Sequence, residues 1–336
     1  MRRSFLLIAA LCLWTATMMT SCQYKELCYD HTHGDKPNLI LKLDLQLDLD
    51  IDVIVTDASH AKIKLPSHMV VCFYDTLSGA LKEMEIVGTY GGPLHVNPGT
   101  YNMVVYSFDT EWTQVRGDAN INTLEAFTSD ITELKAAQFA LFKSPKEENE
   151  VDSVDTDAPG PIIYTPDHLL VTRKQVEIPP YSIEDQVITI EAKAKTIAQT
   201  YNFEVTNVKG IEYISKVDAF VTNQARSSFF GRGEVNEEPA TLYFEIEVNK
   251  DSLTLETSFN TFGKLPGESK SYLNLLVTDS EGKAYTIVTD ITDQFNNREH
   301  TIVVQDSIVV PPPAEGGGIA PTVDPWEEEN HDVHIG

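Results

Sequence analysis

Tryptophan and cysteine are scarce in this chain, and positive charge is scarce beside negative. The 336 residues hold three tryptophans, four cysteines, and 25 lysines and arginines against 51 aspartates and glutamates. A formal charge of −26, with no basic stripe to offset it, excludes a nucleic-acid binder. It also excludes adsorption of the polypeptide to an anionic bilayer, so membrane attachment needs another source. No glycine-rich phosphate loop, nucleophile elbow, HExxH or paired CxxC occurs, which removes the usual nucleotide, hydrolase, zinc and thiol-redox signatures. Carboxylates abound, yet a glycosidase needs two held across a cleft, and no segment singles out such a pair. The chain reads as non-enzymatic, with no cofactor and no metal.

The N-terminus carries an address. Arg2 and Arg3 precede an apolar run from Phe5 to Met19, too short for a comfortable membrane span, and Thr20-Ser21-Cys22 follow. This is a secretory leader over residues 1–21. The small residue before Cys22 matches a bacterial lipoprotein signal, whose cysteine thiol takes a diacylglycerol; Met19 departs from the usual leucine. The alternative is an ordinary leader with an incidental cysteine. Each buried CH₂ of an acyl chain adds about 0.8 kcal/mol, so several chains hold where one is marginal. Loss of Arg2 and Arg3 takes the charge from −26 to −28, which favours dispersal in water over clumping. Cys12 leaves with the leader. Cys28 and Cys72 remain, either as a disulfide worth roughly 4 kcal/mol in the chain-entropy model or as two buried thiols.

Patterning gives an all-β chain. After a tether over 22–38, Leu41 to Val53 alternates without a break, leucine, isoleucine and valine on one face and lysine, glutamine and aspartate on the other. The aspartates would stand in a row roughly 7 Å apart, a solvated face rather than a calcium cage, which needs a turning loop. Further strand-like runs are HMVVCFYD, LKEMEIVGTY and LHVNPGTYNMVVYSFD, and Asn122–Phe142 is the one helix-compatible stretch. Residues 144–161 form an acidic, proline-closed surface loop. Eight short strands from Gln186 onward, with turn residues between them, carry a β-sandwich signature. The expected division is an N-terminal sandwich over 39–179, a C-terminal sandwich over 180–310 split off at Pro179-Pro180, and a flexible acidic tail over 311–336. His31 and His33 lack a third ligand nearby, His331 and His334 sit in the tail, and the RGD tripeptide Arg116–Asp118 is short enough to recur by chance.

The cysteine signal, the "CYDH" shortly after it, the two β-rich halves and the closing "PTVDPWEEE" together resemble the Bacteroidales FimB-like fimbrial anchor and accessory lipoproteins of type V pili. The resemblance implies two tandem Greek-key, transthyretin-like sandwiches on an outer-membrane lipid anchor at the cell surface. It implies fimbrial or pilin subunits as partners, bound by β-strand complementation. Pilins of that group are cut after an N-terminal arginine, which opens a groove; here no arginine lies between Cys22 and Arg116, so the subunit keeps its lipid. In the same group, O-glycans sit on Asp-Ser/Thr before a small or aliphatic residue. Thr76, Ser153, Ser252 and Ser307 fit, and Ser153, in the acidic loop, is the candidate. The rival reading is a surface glycan-binding lipoprotein of a polysaccharide-uptake system, which needs an aromatic platform. Outside the leader only Trp112 and Trp326 are available, far apart.

Overall fold

A computed structural model describes residues 36–313, with breaks at 50–60, 132–136, 140–159, 181–186, 207, 249, 251–253, 266, 268, 297–299 and 306–307. The leader, Cys22, Cys28, the histidine pairs, most of the acidic loop with Ser153, Ser252, Ser307, and the tail beyond Pro313 lie outside the described residues. Among the described residues, no helix is long and apolar enough to cross a membrane.

Strands dominate, as the alternation predicts. The first five are β1 (Leu39–Leu45), β2 (His68–Asp75), β3 (Leu81–Gly88), β4 (Gly91–Leu94) and β5 (Gly99–Ser107). Then come β6 (Gln114–Arg116), β7 (Glu125–Phe127), β8 (Ile162–Tyr164), β9 (Leu170–Ile178) and β10 (Ile188–Thr196). The second half holds β11 (Gln199–Val205), β12 (Val208–Lys209), β13 (Ile214–Ala225), β14 (Ser227–Phe229), β15 (Glu234–Val235) and β16 (Pro239–Ile246). It ends with β17 (Leu255–Thr261), β18 (Tyr272–Asp279), β19 (Ala284–Asp290), β20 (Thr301–Val304) and β21 (Ile308–Val309).

Seven strands close a barrel in the order β1-β10-β9-β5-β2-β3-β4. Leu41, Phe73, Leu94, Met103 and Ile178 fill it. The division expected at Pro179-Pro180 falls inside this barrel, between β9 and β10. The first unit ends only at Thr196, because the apolar face of β1 is completed by β10, which runs parallel to it from Leu39↔Ile188 to Leu45↔Ala194. In exchange, β8 leaves the first half and pairs with β16. The second unit packs the sheet β19-β18-β13-β16-β8 against β17-β11-β20, around Phe203, Val217, Leu242, Phe259 and Ile302.

A further sheet, β15-β14-β7-β6, takes strands from both halves. It covers the barrel's outer face, where Val70, Cys72 and Tyr74 of β2 and Val104 and Tyr106 of β5 are buried with Leu124, Ala126, Phe230 and Phe262. That is why HMVVCFYD is apolar on both faces. The stretch Asn122–Phe142, expected to be a short helix, opens instead with β7; residues 137–139 are helical. Weak helical periodicity yields there to pairing with β6 and β14, which buries Leu124 and Ala126.

The joint is polar where the chain crosses. Two residues separate β10 from β11, and buried His168 binds Thr196 Oγ1 at 2.8 Å and the Ala61 carbonyl at 2.7 Å. Burial holds its pKa below the usual histidine value. Thr200 donates to Asn260, whose amide donates to the Pro166 carbonyl at 3.0 Å.

Phe230 is 1% exposed and meets Tyr106 edge-on at 5.3 Å, so it belongs to both halves. Phe230→Ala is expected to cost about 3–5 kcal/mol and to lower the denaturant midpoint of both units together, in one transition. Separate near-ultraviolet and amide-exchange transitions for the two halves would contradict a shared core.

Candidate functional site

The N-terminal strand is the element that a tether from Cys22 would reach first. Leu39, Leu41 and Leu43 point into the barrel, while Ile40, Lys42 and Asp44 face outward. Strand pairing stops at Leu45, short of the expected Val53, although the in–out alternation persists to Leu49; residues 50–53 lie outside the described residues. β1 is not an edge strand. It lies between β10 and β4, with Leu39↔Leu94 to Lys42↔Gly91 on the antiparallel side. Gly91 has φ +98°, and a Cβ there would overlap the Leu41 carbonyl, so only glycine permits this approach. On the outer face Lys42 sits opposite Glu191 and Asp44 opposite Lys193, the latter pair 3.7 Å apart. Asp44 therefore belongs to a solvated face, as the row of aspartates suggested.

β4 and β3 meet only at Gly88↔Gly91. Beyond that point, carboxylates replace strand pairing. Glu85 accepts from the His95 amide at 2.8 Å and Glu83 from the Asn97 amide at 2.9 Å. Lys36, just before β1, donates to Glu83 at 3.3 Å and to the His95 carbonyl at 2.8 Å. The entry of the chain is thus pinned to the corner of the barrel.

The other singled-out residues have structural work. Arg116 of the RGD tripeptide pairs through Nε with Glu125 at 2.6 Å and lies over the Phe127 ring at 4.4 Å. Gly117 has φ +74° and packs on the Thr123 carbonyl. Glu125 is 5% exposed and also accepts from the Ser227 hydroxyl, and its pKa is held below the usual carboxylate value: burial pushes it up, but the Arg116 and Ser227 hydrogen bonds outweigh this. Trp112 rests on Tyr164 at 4.5 Å, its backbone amide held by the Asp167 carboxylate at 2.5 Å, and its ring stays partly exposed. Cys72 is fully buried under the composite sheet, with no disulfide partner among the described residues, and burial pushes its thiol pKa up to about 11. Thr76 occupies the β2–β3 turn, where Asp75 accepts from the Leu77 and Ser78 amides. Among the described residues, no group of histidines, cysteines or carboxylates is placed to hold a metal.

Two outcomes follow. Arg116→Gln leaves a buried carboxylate uncompensated and is expected to cost about 3 kcal/mol at neutral pH. In the wild type the Glu125 contribution is complete above its unfolded value near 4.5 and is lost as pH falls through the lower folded value. In the variant the Arg116 bond and charge no longer offset burial and only the Ser227 and Asn236 side chains still favour the ionised form, so the carboxyl protonates more readily and the gap between the two proteins narrows on acidification. Denaturant melts at neutral and acid pH check this, and a gap that widens refutes the assignment. Cys72 is expected to resist iodoacetamide in the native protein and to react in guanidinium. Absence of reaction in guanidinium until a reductant is added would instead mean pairing with Cys28.

The profile of the family described as "Domain of unknown function (DUF5119)" matches residues 21–245. The chain is 23% identical, over 94% of its length and 93% of the relative's, to a Bacteroides ovatus protein named "Putative fimbrium anchoring subunit Fim4B". It is similar in fold to a crystal structure described as a "putative adhesin" from Bacteroides ovatus, with a TM-score of 0.56 and 20% identity over 83% of this chain and 93% of that one. The fimbrial anchor protein Mfa2 from Porphyromonas gingivalis aligns over 77% of this chain and 83% of that one, at a TM-score of 0.42 and 15% identity. The Fim4B name describes an anchoring subunit, a structural rather than a catalytic role, in accord with the non-catalytic reading. With well over half of its residues matched, the chain belongs to the DUF5119 family.

Proposed function

We propose that the protein is a cell-surface lipoprotein that serves as a fimbrial anchor or accessory subunit. Acylated Cys22 holds it to the outer membrane, and it binds other fimbrial subunits by strand addition. The observation that carries this reading is the alignment with a fimbrium-anchoring relative over 94% of the chain, joined to a cysteine set directly after an apolar leader. Barrel geometry supports it. β1 is bonded on both sides, and the first arginine after Cys22 is Arg116, in β6. A cut after Arg116 would separate five barrel strands from the other two, not free one strand, so an anchor of this design keeps its N-terminal strand and its lipid.

Cys22→Ala is expected to move the protein from the membrane fraction to the soluble fraction and to release associated filaments from cells. Intact-mass analysis of the wild type should find the processed chain beginning at an acylated residue 22. Full membrane retention of the variant would overturn the anchor role.

A further inference from the structure

β9 begins as a buried strand and then changes character. Leu170, Val171 and Thr172 are buried, whereas Arg173, Lys174 and Gln175 are exposed in succession. Side chains alternate between faces, so three exposed in a row means that both faces are open there. Pairing explains it. β10 bonds to β9 only at Lys195↔Val171 and Thr196↔Leu170, and the rest of β10 follows β1. From Arg173 to Ile178, β9 is held by β5 on one side, and its other backbone edge carries no strand among the described residues. Lys174 bridges the seam, donating to the Glu191 carbonyl at 2.9 Å. The seam beside β3 is sealed by the chain's own Glu83 and Glu85; among the described residues no carboxylate bonds across this one.

Charge singles out the same place. Arg116, Arg226 and Arg232 each pair with a carboxylate. Arg173 has no such partner among the described residues, in a chain with 51 acids to choose from. Its guanidinium lies over the backbone of Gly233. Beside β9 it lines a cleft of about 430 Å³ with Asn102, Gln175, Ile121 and Gly231, and no acidic residue lines that cleft. Both halves of the molecule build it, so its shape depends on the shared core.

We propose that this seam is a docking edge for an extended, acidic segment of a second polypeptide. The segment's backbone adds to β9, and one of its carboxylates enters the cleft and pairs with Arg173. An open edge supplies backbone donors and acceptors, and a guanidinium fork matches a carboxylate with two parallel hydrogen bonds. A partner strand without acid would leave Arg173 facing apolar Ile121 uncompensated, so the site selects by charge as well as by conformation.

The partner's identity rests on the fimbrial reading, and one experiment separates the two. Full-length tagged protein is purified from fimbriate cells as wild type, Arg173→Glu and Arg173→Lys, at low and high salt. Wild type is expected to bring down a fimbrial subunit. Arg173→Glu should lower its recovery at least tenfold without moving the melting temperature, and Arg173→Lys and high salt should reduce it less. Equal recovery with Arg173→Glu overturns the docking edge and leaves the fimbrial reading standing. No subunit with wild type overturns both. A photo-crosslinker at Gln175 should map to an extended segment bearing Asp or Glu; an adduct on a segment without acid overturns the proposal.

Discussion

Val70, Cys72, Tyr74, Val104 and Tyr106 give the barrel an outer face as apolar as its interior. Such a face cannot stay in water without a large cost, since each buried aliphatic or aromatic side chain is worth on the order of 2 kcal/mol. Its cover has to come from elsewhere in the chain. It comes from β6 and β7 of the first half and from β14, Phe230 and Phe262 of the second. One sheet assembled from both halves therefore does what a linker cannot. It makes the position of the second sandwich relative to the barrel a matter of packing rather than of tether length.

The cover also explains where polar groups are tolerated. His168, Thr196, Thr200 and Asn260 line the crossing between β10 and β11, and each finds a partner within the joint. Glu125 is buried where Arg116 and Ser227 neutralise and bond it. Polar groups buried in this way cost stability when a partner is removed and little when the set is complete. They also specify one arrangement of the halves, because a shifted register leaves them unpaired.

In the proposed anchor, tension from a lipid at Cys22 reaches the fold at β1. That strand is bonded along both flanks, parallel to β10 and antiparallel to β4, and tied at its start by Lys36. Pulling along the strand loads many backbone hydrogen bonds together instead of peeling them one at a time. The same barrel leaves β9 half-paired, because β10 stays with β1 along most of its length and meets β9 only at Lys195 and Thr196. Retention at the first strand and openness at the ninth are thus two results of one pairing decision.

Much of the fold was legible in the residues. The unbroken alternation from Leu41 to Val53 predicted β1, and the runs read as strands coincide with β2, β3, β5, β10, β11, β13 and β16 to β20. β9 was not legible, because its Thr-Arg-Lys-Gln centre breaks the apolar pattern just where its edge is open. β6, β7, β14 and β15 are too short to carry a period, and the helix expected over 122–142 gave way to β7. Local periodicity decided the class of structure, the wet and dry faces of β1 and the acidity of the surface, since these depend only on side-chain chemistry at spacing two. Partner choice belonged to the tertiary structure. Leu39 meets Ile188 and Phe127 meets Ser227 across separations that no local pattern encodes, and only the packing shows that, among the described residues, Arg173 has no carboxylate partner while Arg116, Arg226 and Arg232 do.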